Sequence, residues 1–480
     1  MRRRPNIVLL TADQLSWNVR SGAGNRYVST PAMDRIAGRG VTFQRAYASD
    51  PVCAPQRTSW MTGRYGSETG TPFNGGRLHP DIADLGAVLR EGGYSTFHAG
   101  KWHVDGRPAA TSFDVIFGGQ REIAAGGAEI HDATIARTTA GFLASGALPE
   151  PFYLQAHFVN PHDVCEYLHR FESRNMPDLV AQEIVAEAEL PPLPDNFDFD
   201  IAQETVAQIA ARRVPGCYIH DGIRAAVAGW SELDWRTYIW RYYRYVEDVD
   251  RNIGLVLDAL ESSGVADDTI LIFTADHGES CASHHMFQKF TLYDESARVP
   301  FVVSSLGSVA LPRAGEVEDG VLVSAVDLFS TICDYAGVAR PAGTHGMSLR
   351  GSVDSAGTAG REWAYMEVNF LGRGIVDSRF KYITEYVPEP ERAALPPNGQ
   401  RNVQGREQLY DLLQDPGETV NLAYDPQHSG IVVRMRQRLR ETEARMSQRP
   451  LGDPGAIATA AEWSRQTLEQ WRALVPRDAK

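Results

Sequence analysis

The sequence has few cysteines, no long apolar run and fewer basic than acidic residues, and each shortage argues against a class of protein. Five cysteines in 480 residues, at irregular spacing, do not make the disulfide framework of a small secreted domain. No apolar run approaches the roughly 18 residues that a membrane-spanning helix needs. With 47 Lys and Arg against 61 Asp and Glu, the net charge of −14 argues against a nucleic-acid partner. An anionic substrate would therefore need a local cationic pocket.

The first four residues, Met1-Arg2-Arg3-Arg4, resemble the charged start of a signal peptide. The apolar run that follows, residues 7–10, is too short for such a peptide and soon meets Asp13. We interpret this run as a first strand, and we expect a cytoplasmic protein that has no membrane partner.

Four apolar runs share a layout in which polar, reactive side chains stand just beyond a predicted strand. The runs cover residues 6–12, 94–99, 152–159 and 269–275. Continuous apolar runs indicate the strands of a parallel sheet covered on both faces. Since ligands of open α/β sheets bind outside the carboxyl ends of the strands, we expect one site there. The residues that follow the four runs include Asp13, Gln14, Lys101, His103, His162, Asp276 and His277.

The predicted fold class is α/β: a large, mostly parallel sheet sandwiched by helices, with a smaller C-terminal antiparallel-sheet subdomain. We place the main domain at residues 1–365, with an insertion at about 165–234, and the α+β subdomain at 366–480. The clearest helix is predicted at residues 235–262, where apolar residues recur every three or four positions.

Within the subdomain we predict exposed strands at residues 374–386 and 407–412, followed by helices near 431–446 and 460–474. This mixture of short strands and later helices predicts an antiparallel sheet with helices packed against the main domain.

The segment Cys53-Ala54-Pro55-Gln56-Arg57 is typical of a reactive residue at the start of a short helix. Pro55 suits a first helical position, and Gly63 suits the position just past the end. Cys53 would then face unpaired N–H groups and the positive end of the helix dipole, which activate nucleophiles. Arg57, one turn later, would add positive charge on the same side.

Asp13, Asp276 and His277 are candidate ligands for a divalent cation, and the hard oxygens of the two aspartates favour calcium or magnesium. Gln14 offers only an amide oxygen and is a weaker candidate. In an alternative interpretation, Asp13 and Asp276 are N-caps of helices.

A set of five cationic or imidazole side chains is suited to a tetrahedral oxyanion such as sulfate or phosphate. The alternative for each lysine is a solvated surface position. The set consists of Arg57, Lys101, Lys289, His103 and His162.

Cys53–Arg57 with Thr62-Gly63-Arg64 resembles the maturation signature of type I sulfatases, in the alkaline phosphatase superfamily. Residues 100–103, 160–162, 275–279 and 289–293 match further blocks of that family in the same order. Residues 409–422 resemble its C-terminal signature, so that the resemblance spans nearly the whole chain.

The resemblance implies that a formylglycine-generating enzyme converts Cys53 to formylglycine, whose hydrate attacks the sulfur of a sulfate ester. It implies that Asp13, Asp276, His277 and the modified residue 53 bind Ca²⁺, with Mg²⁺ or Mn²⁺ as alternatives, and that Gln14 is an additional candidate ligand. The resemblance also implies roles for five further side chains. Arg57 and Lys101 would hold the nucleophile, and His103 would orient it or take its proton. His162 and Lys289 would contact the sulfate and the leaving oxygen.

Two positions differ from the family pattern: Gln14, where many members carry a second Asp, and Gln56, where Ser or Ala is usual. The predicted activity is hydrolysis of a sulfate ester on a sugar or another small organic molecule. A phosphonate or phosphate ester hydrolase with the same nucleophile and an inactive anion-binding relative are the alternatives. Loose candidates for the substrate rim are Asn74, His284, His285, His345 and Arg373.

Overall fold

The structure is a computed structural model. It describes residues 4–118, 128–146, 148–172, 185–198, 229–308, 311–358, 360–368, 372–385 and 407–446, together with Ile223 and Val227. The predicted helix at 460–474 and most of the predicted insertion at 165–234 lie outside the described residues.

The main sheet has eight strands and is mostly parallel, as predicted. Its strands are β1 (Asn6–Asp13), β2 (Gly40–Tyr47), β3 (Ser95–Gly100), β4 (Asp114–Gly118), β5 (Phe152–Pro161), β6 (Thr269–Ala275), β7 (Phe301–Ser304) and β8 (Val317–Ser324). They lie in the order β4-β3-β5-β1-β6-β7-β2-β8, and only β7 runs antiparallel to its neighbours. All eight residues of the central strand β1 are buried, which explains its unbroken apolar sequence.

The register of the central strands sets the position of the polar residues that follow them. β1 pairs in parallel with β6 from Asn6 opposite Thr269 to Ala12 opposite Ala275. On its other side β1 pairs with β5, and an irregularity near its end sets Asp13 opposite Pro161. The three strands therefore end at the same edge of the sheet.

Helices cover the main sheet and the second sheet. They are α1 (Pro31–Gly38), α2 (Cys53–Thr62), α3 (Gly66–Thr69), α4 (Leu85–Glu91), α5 (Ala128–Leu143), α6 (Val164–Glu172), α7 (Glu232–Ser262), α8 (Asp294–Ala297), α9 (Asp327–Ala336), α10 (Arg350–Asp354) and α11 (Ser429–Arg445). Single 3₁₀ turns occur at Ser21–Ala23, Ala109–Thr111, Glu187–Glu189, Ala266–Asp268, Ser283–His285 and Pro426–His428. None of the described helices combines the length and the apolarity that a membrane crossing requires, and the cytoplasmic location stays a prediction.

The long helix α7 confirms the periodic pattern, although it begins three residues earlier than predicted. Ser231 and Asp234 form a capping box, in which each side chain accepts a hydrogen bond from the other residue's backbone N–H. The predicted stripe, including Val246, Val249 and Ile253, is fully buried. Local capping and long-range packing therefore favour the same helix.

The second sheet is antiparallel, as predicted, but its strands are not exposed. It consists of β9 (Ala364–Val368), β10 (Gly372–Val376), β11 (Phe380–Glu385) and β12 (Glu407–Asp411) in the order β12-β11-β10-β9. Ile375, Ile383 and Leu409 are completely buried. The prediction of exposure was wrong because apolar residues of α11 and of the main domain cover this sheet. The predicted run 374–386 is in fact two strands, and the domain boundary at residue 365 stays a prediction.

Candidate active site at the carboxyl edge of the main sheet

Four potential metal ligands converge where β1 and β6 end and α2 begins. Asp13 is the last residue of β1, Asp276 and His277 follow β6 directly, and Cys53 is the first residue of α2. One donor atom from each lies within 4.8 Å of the others, and all four side chains are buried. Two carboxylates, an imidazole and a sulfur atom in this arrangement can hold a divalent cation.

The alternative that the two aspartates are N-caps of helices is wrong. Neither residue starts a helix: the chain continues from Asp13 into Gln14, which has a left-handed φ of 68°. Asp276 instead accepts hydrogen bonds from the backbone N–H groups of Gln14 and His277, both at 3.0 Å. The Asp276 carboxylate thus holds the ends of β1 and β6 side by side.

Two cationic side chains hold the carboxylates in place. Arg57 donates through Nη2 to Asp13 at 3.0 Å and through Nε to Asp276 at 2.9 Å. Lys101 Nζ lies 2.6 Å from Asp13 Oδ2. Burial would raise the pKa of Asp13, but the charges of Lys101 and Arg57 hold that pKa below its usual value. Asp13 is therefore an anion at neutral pH, as a ligand of a hard cation must be.

Cys53 lies between an imidazole and an ammonium group. Its Sγ is 3.1 Å from His277 Nε2, 3.2 Å from Lys289 Nζ and 3.9 Å from Asp13 Oδ1. Burial would raise the pKa of Cys53, but the charges of Lys101 and Lys289 outweigh it and the pKa lies well below its usual value. The environment stabilises negative charge at position 53.

Helix α2 follows the predicted pattern with one correction. It begins at Cys53, so that Pro55 is its third residue and not its first; the N–H of a third position is also unpaired within a helix, and proline fits there. Gly63 ends the helix with a left-handed φ of 64°, as predicted. The backbone N–H of Ala54 donates to Asn74 Oδ1 at 3.0 Å.

The two histidines predicted for the site lie beside Cys53. A hydrogen bond with His103 contributes to the low pKa of Cys53, and His162 interacts with the same side chain. Burial, together with the charges of Lys289 and Lys101, lowers the pKa of His162 to about 3. The structure therefore brings both imidazoles to the candidate nucleophile.

Lys289 is the buried cation that has no carboxylate partner within 4 Å among the described residues. Its side chain is fully buried, and its Nζ lies 2.7 Å from Gln14 Oε1 and 3.2 Å from Cys53 Sγ. A buried ammonium group is costly without a counter-charge. Burial would lower the pKa of Lys289, but the charge at Cys53 outweighs it and raises that pKa. When residue 53 carries no charge, an anion bound there would supply the counter-charge instead.

Of the five candidates for the substrate rim, Asn74 lies at the start of α2, where its Oδ1 accepts the backbone N–H of Ala54 and so caps the helix. His284 stacks on Tyr293, with ring centroids 3.9 Å apart, and His285 stacks on Phe197 at 4.4 Å. These contacts fix both imidazoles against neighbouring rings, and their contact with a substrate stays a prediction.

The other two rim candidates lie against the second sheet and its surroundings. His345 Nε2 is 2.8 Å from Glu68 Oε2. Arg373, on β10, is almost completely buried and lies 3.5 Å from Glu443 on α11. Both pair with acidic side chains, and their role at a substrate likewise stays a prediction.

Sequence reasoning missed the side chains that hold the site residues in place. Asp132, on α5, accepts the backbone N–H groups of Val159 at 2.7 Å and Asn160 at 2.9 Å, just before His162. Glu279 accepts a hydrogen bond from Gln14 Nε2 at 2.6 Å. Glu279 belongs to the matched block at residues 275–279, yet no local pattern indicates which side chain it would contact. Only the long-range pairing of β1 with β6 brings the two together.

Comparison with known proteins gives one consistent result. The family model described as "Sulfatase" matches residues 5–338. The delta 4,5-hexuronate-2-O-sulfatase of Bacteroides thetaiotaomicron is 31% identical over 458 residues, covering 91% of this chain and 88% of that protein. The N-acetylglucosamine-6-O-sulfatase of the same organism is 25% identical and covers 92% of this chain and 86% of that protein.

Solved structures show the same fold over nearly the full length. A 2-O GAG sulfatase superposes with a TM-score of 0.77 and 26% identity, covering 94% of this chain and 96% of that one. The phosphonate monoester hydrolase of Agrobacterium radiobacter superposes with a TM-score of 0.69 at 22% identity, covering 92% of this chain and 96% of that one. At that identity the second likeness concerns the fold alone.

Proposed function

The chain belongs to the sulfatase family, and we propose that it hydrolyses a sulfate ester carried by a saccharide. The relatives named for sugar sulfates, the hexuronate 2-O-sulfatase and the N-acetylglucosamine-6-O-sulfatase, support a saccharide substrate. The cationic cluster around Cys53 supports a tetrahedral anion as the group that reacts.

Maturation of the enzyme is part of the proposal. A formylglycine-generating enzyme would convert Cys53 to formylglycine, whose hydrated form supplies the nucleophilic hydroxyl group. The surroundings of Cys53 support a nucleophile at this position: burial would raise the pKa of the thiol, but the charges of Lys101 and Lys289 lower it, and they would stabilise a negatively charged oxygen in the same way.

The donor set fits Ca²⁺, and we propose this ion. Asp13, Asp276, His277 and residue 53 would hold it, with the amide oxygen of Gln14 as an additional ligand. Three of these five residues supply oxygen from their unmodified side chains, which favours a hard cation over zinc. When bound, the ion would act as a Lewis acid that lowers the pKa of the nucleophile and neutralises charge on the sulfate oxygens.

The remaining side chains would bind the sulfate and move protons. Arg57 and Lys101 hold the carboxylates, and Lys289 Nζ lies 3.2 Å from Cys53 Sγ. Lys289 and His162 would contact the sulfate and the leaving oxygen, and His103 would orient the nucleophile or accept its proton.

The observation that carries the proposal is the buried ammonium group of Lys289, 3.2 Å from Cys53 Sγ and without a described carboxylate partner. A bound sulfate would complete its coordination. The other buried lysine near Cys53, Lys101, is paired with Asp13. Once Cys53 is converted to an uncharged group, three cations face the two carboxylates of Asp13 and Asp276, and the cluster has one positive charge left for an anionic substrate.

The test uses protein made together with a formylglycine-generating enzyme, with Ca²⁺ present. Sulfate release is measured from a panel that includes an unsaturated 2-O-sulfated uronate disaccharide and N-acetylglucosamine 6-sulfate. We expect sulfate release from a sugar sulfate, and its loss in Lys289→Met. Release of phosphonate or phosphate products in preference to sulfate would favour the alternative hydrolase. Binding of sulfated sugars without turnover, with Cys53 left unconverted, would favour the inactive relative.

A further inference from the structure

Glu279 is a buried carboxylate whose two oxygens have different partners. Oε1 accepts hydrogen bonds from Tyr238 at 2.8 Å, from the backbone N–H of Gln288 at 2.6 Å and from that of Cys281 at 3.3 Å. Oε2 accepts a hydrogen bond from Gln14 Nε2 at 2.6 Å. Only 1% of the residue is exposed. One oxygen therefore anchors Glu279 to the fold, and the other is directed at a residue of the candidate metal centre.

The partners on the two sides of Gln14 fix the orientation of its amide. A carboxylate can only accept hydrogen bonds and an ammonium group can only donate them. Gln14 Nε2 must therefore face Glu279, which leaves Oε1 facing Lys289 Nζ at 2.7 Å. A flipped amide would set two acceptors against each other on one side and two donors on the other. Cys165 Sγ, 3.6 Å from both amide atoms, is a weak donor and acceptor that suits either orientation.

We infer that Glu279 is a positioning residue, which holds the amide of Gln14 so that its carbonyl oxygen faces Lys289 and the metal centre. The role explains how an amide can serve where a carboxylate is common in the family. A carboxylate needs no such control because both of its oxygens are acceptors, whereas an amide presents the wrong atom if it flips. The inference rests on the proposed function only in treating the cluster as a metal centre.

The inference predicts an energetic coupling between positions 14 and 279. In Glu279→Gln, the three donors at Oε1 hold the new amide oxygen on that side, so that its NH₂ group faces Gln14. Gln14 must then flip and direct its own NH₂ group at Lys289. Changing Gln14 to Glu in this variant restores an acceptor on both sides. In the unchanged protein, the same substitution sets two carboxylates face to face.

The experiment is a double-mutant cycle on the full-length protein: wild type, Q14E, E279Q and the double variant. The affinity for Ca²⁺ alone is measured by calorimetric titration after removal of metal, beside turnover of an aryl sulfate. We expect E279Q to weaken both by about 10- to 100-fold. We expect Q14E to recover about tenfold or more in the E279Q background and to give no such gain in the wild-type background.

The cycle distinguishes positioning from general support of the fold. An equal effect of Q14E in both backgrounds would overturn the inference, since Glu279 would then act independently of Gln14. If E279Q fails to fold, recovery of folding in the double variant supports the inference and continued failure overturns it. Glu295→Gln is the control: it neutralises a partly buried carboxylate that accepts a hydrogen bond from Asn196 at 2.9 Å, and it should show no coupling to Q14E.

Failure of the proposed function would give a different result from failure of the inference about Glu279. A wild-type protein that is converted at Cys53 but hydrolyses no sulfate ester contradicts that function. The thermal unfolding midpoint of the metal-free variants still decides the inference in that case: it should fall in E279Q and rise again when Q14E is added. The opposite result, with no recovery of the midpoint, would contradict the positioning role.

Discussion

Two clusters of buried charge, one at the carboxyl edge of the main sheet and one beneath the second sheet, use lysine in opposite ways. Lys381, on β11, is fully buried and pairs with both Asp294 of α8 and Glu418. Arg298 adds a second bridge to Asp294 at 3.2 Å. Lys289 is equally buried, yet its neighbours are an amide oxygen and a sulfur atom.

The difference between Lys381 and Lys289 distinguishes a buried charge that stabilises the fold from a buried charge that is available to bind a ligand. The two described cations of the cluster around Lys381, Lys381 itself and Arg298, both have carboxylate partners, and the cluster ties β11 of the second sheet to α8. In the cluster around Cys53, Arg57 and Lys101 are paired with carboxylates and Lys289 is not. Removing charge should therefore impair stability in one cluster and function in the other.

The largest expected effect is on activity at the nucleophile. Cys53→Ala should reduce hydrolysis to background, because the reactive hydroxyl group cannot form, while the unfolding midpoint changes little. Turnover of an aryl sulfate and a thermal melt measure the two quantities. Near wild-type turnover in this variant would rule out the mechanism.

Substituting Asp276 and Asp294 by asparagine compares one buried carboxylate from each cluster. Asp276→Asn should lower both metal content and activity, because a ligand charge is lost. Asp294→Asn should destabilise the protein and leave its metal content unchanged, because that carboxylate pairs with Lys381 and Arg298. Elemental analysis of the purified variants measures the metal, and undiminished content in Asp276→Asn would contradict its assignment as a ligand.

Lys289→Met and Lys381→Met form a matched pair of buried lysine substitutions. The second should lower the free energy of unfolding by about 3–5 kcal/mol, because it leaves Glu418 buried without its cation and removes one of the two cations that pair with Asp294. In protein converted at Cys53, where residue 53 carries no thiolate, the first should leave that free energy unchanged or raise it, since Lys289 has no described carboxylate partner to lose, and should abolish sulfate release. Denaturant titration measures both variants, and a comparable loss of stability in the two would remove the distinction between the clusters.

The smallest effect is expected at Gln56, a position where the family usually carries Ser or Ala. Its Oε1 accepts hydrogen bonds from the backbone and side chain of Ser49, at 2.8 and 2.9 Å, so that its role is structural. Gln56→Ser should cost about 1–3 kcal/mol of stability and leave the conversion of Cys53 intact. Mass spectrometry of the peptide that contains residue 53 measures conversion, and a change in it would assign Gln56 a role in maturation.

The features that could be predicted from the sequence are those that depend on regular periodicity and on the order of parallel strands. Asp13, Asp276 and His277 meet because β1 and β6 run side by side and end together, which apolar runs followed by polar residues indicate. Helix α7 followed from the spacing of its buried stripe.

Features that depend on contacts distant in sequence could not be predicted in this way. The burial of β10 to β12 depends on α11 and the main domain, and the cap that Asn74 provides for α2 depends on a loop. The bond between Gln14 and Glu279 joins residues 265 positions apart, and neither residue's neighbours in sequence reveal it.

The most direct test of the comparison is the binding of inorganic sulfate, measured by calorimetric titration of the wild type, Lys289→Met and Lys381→Met. If Lys289 is held without a carboxylate partner to receive the substrate's anion, Lys289→Met should weaken sulfate binding by about tenfold or more. Lys381→Met, if folded at the temperature used, should bind as the wild type does. Equal sulfate affinity in Lys289→Met and the wild type would contradict the account.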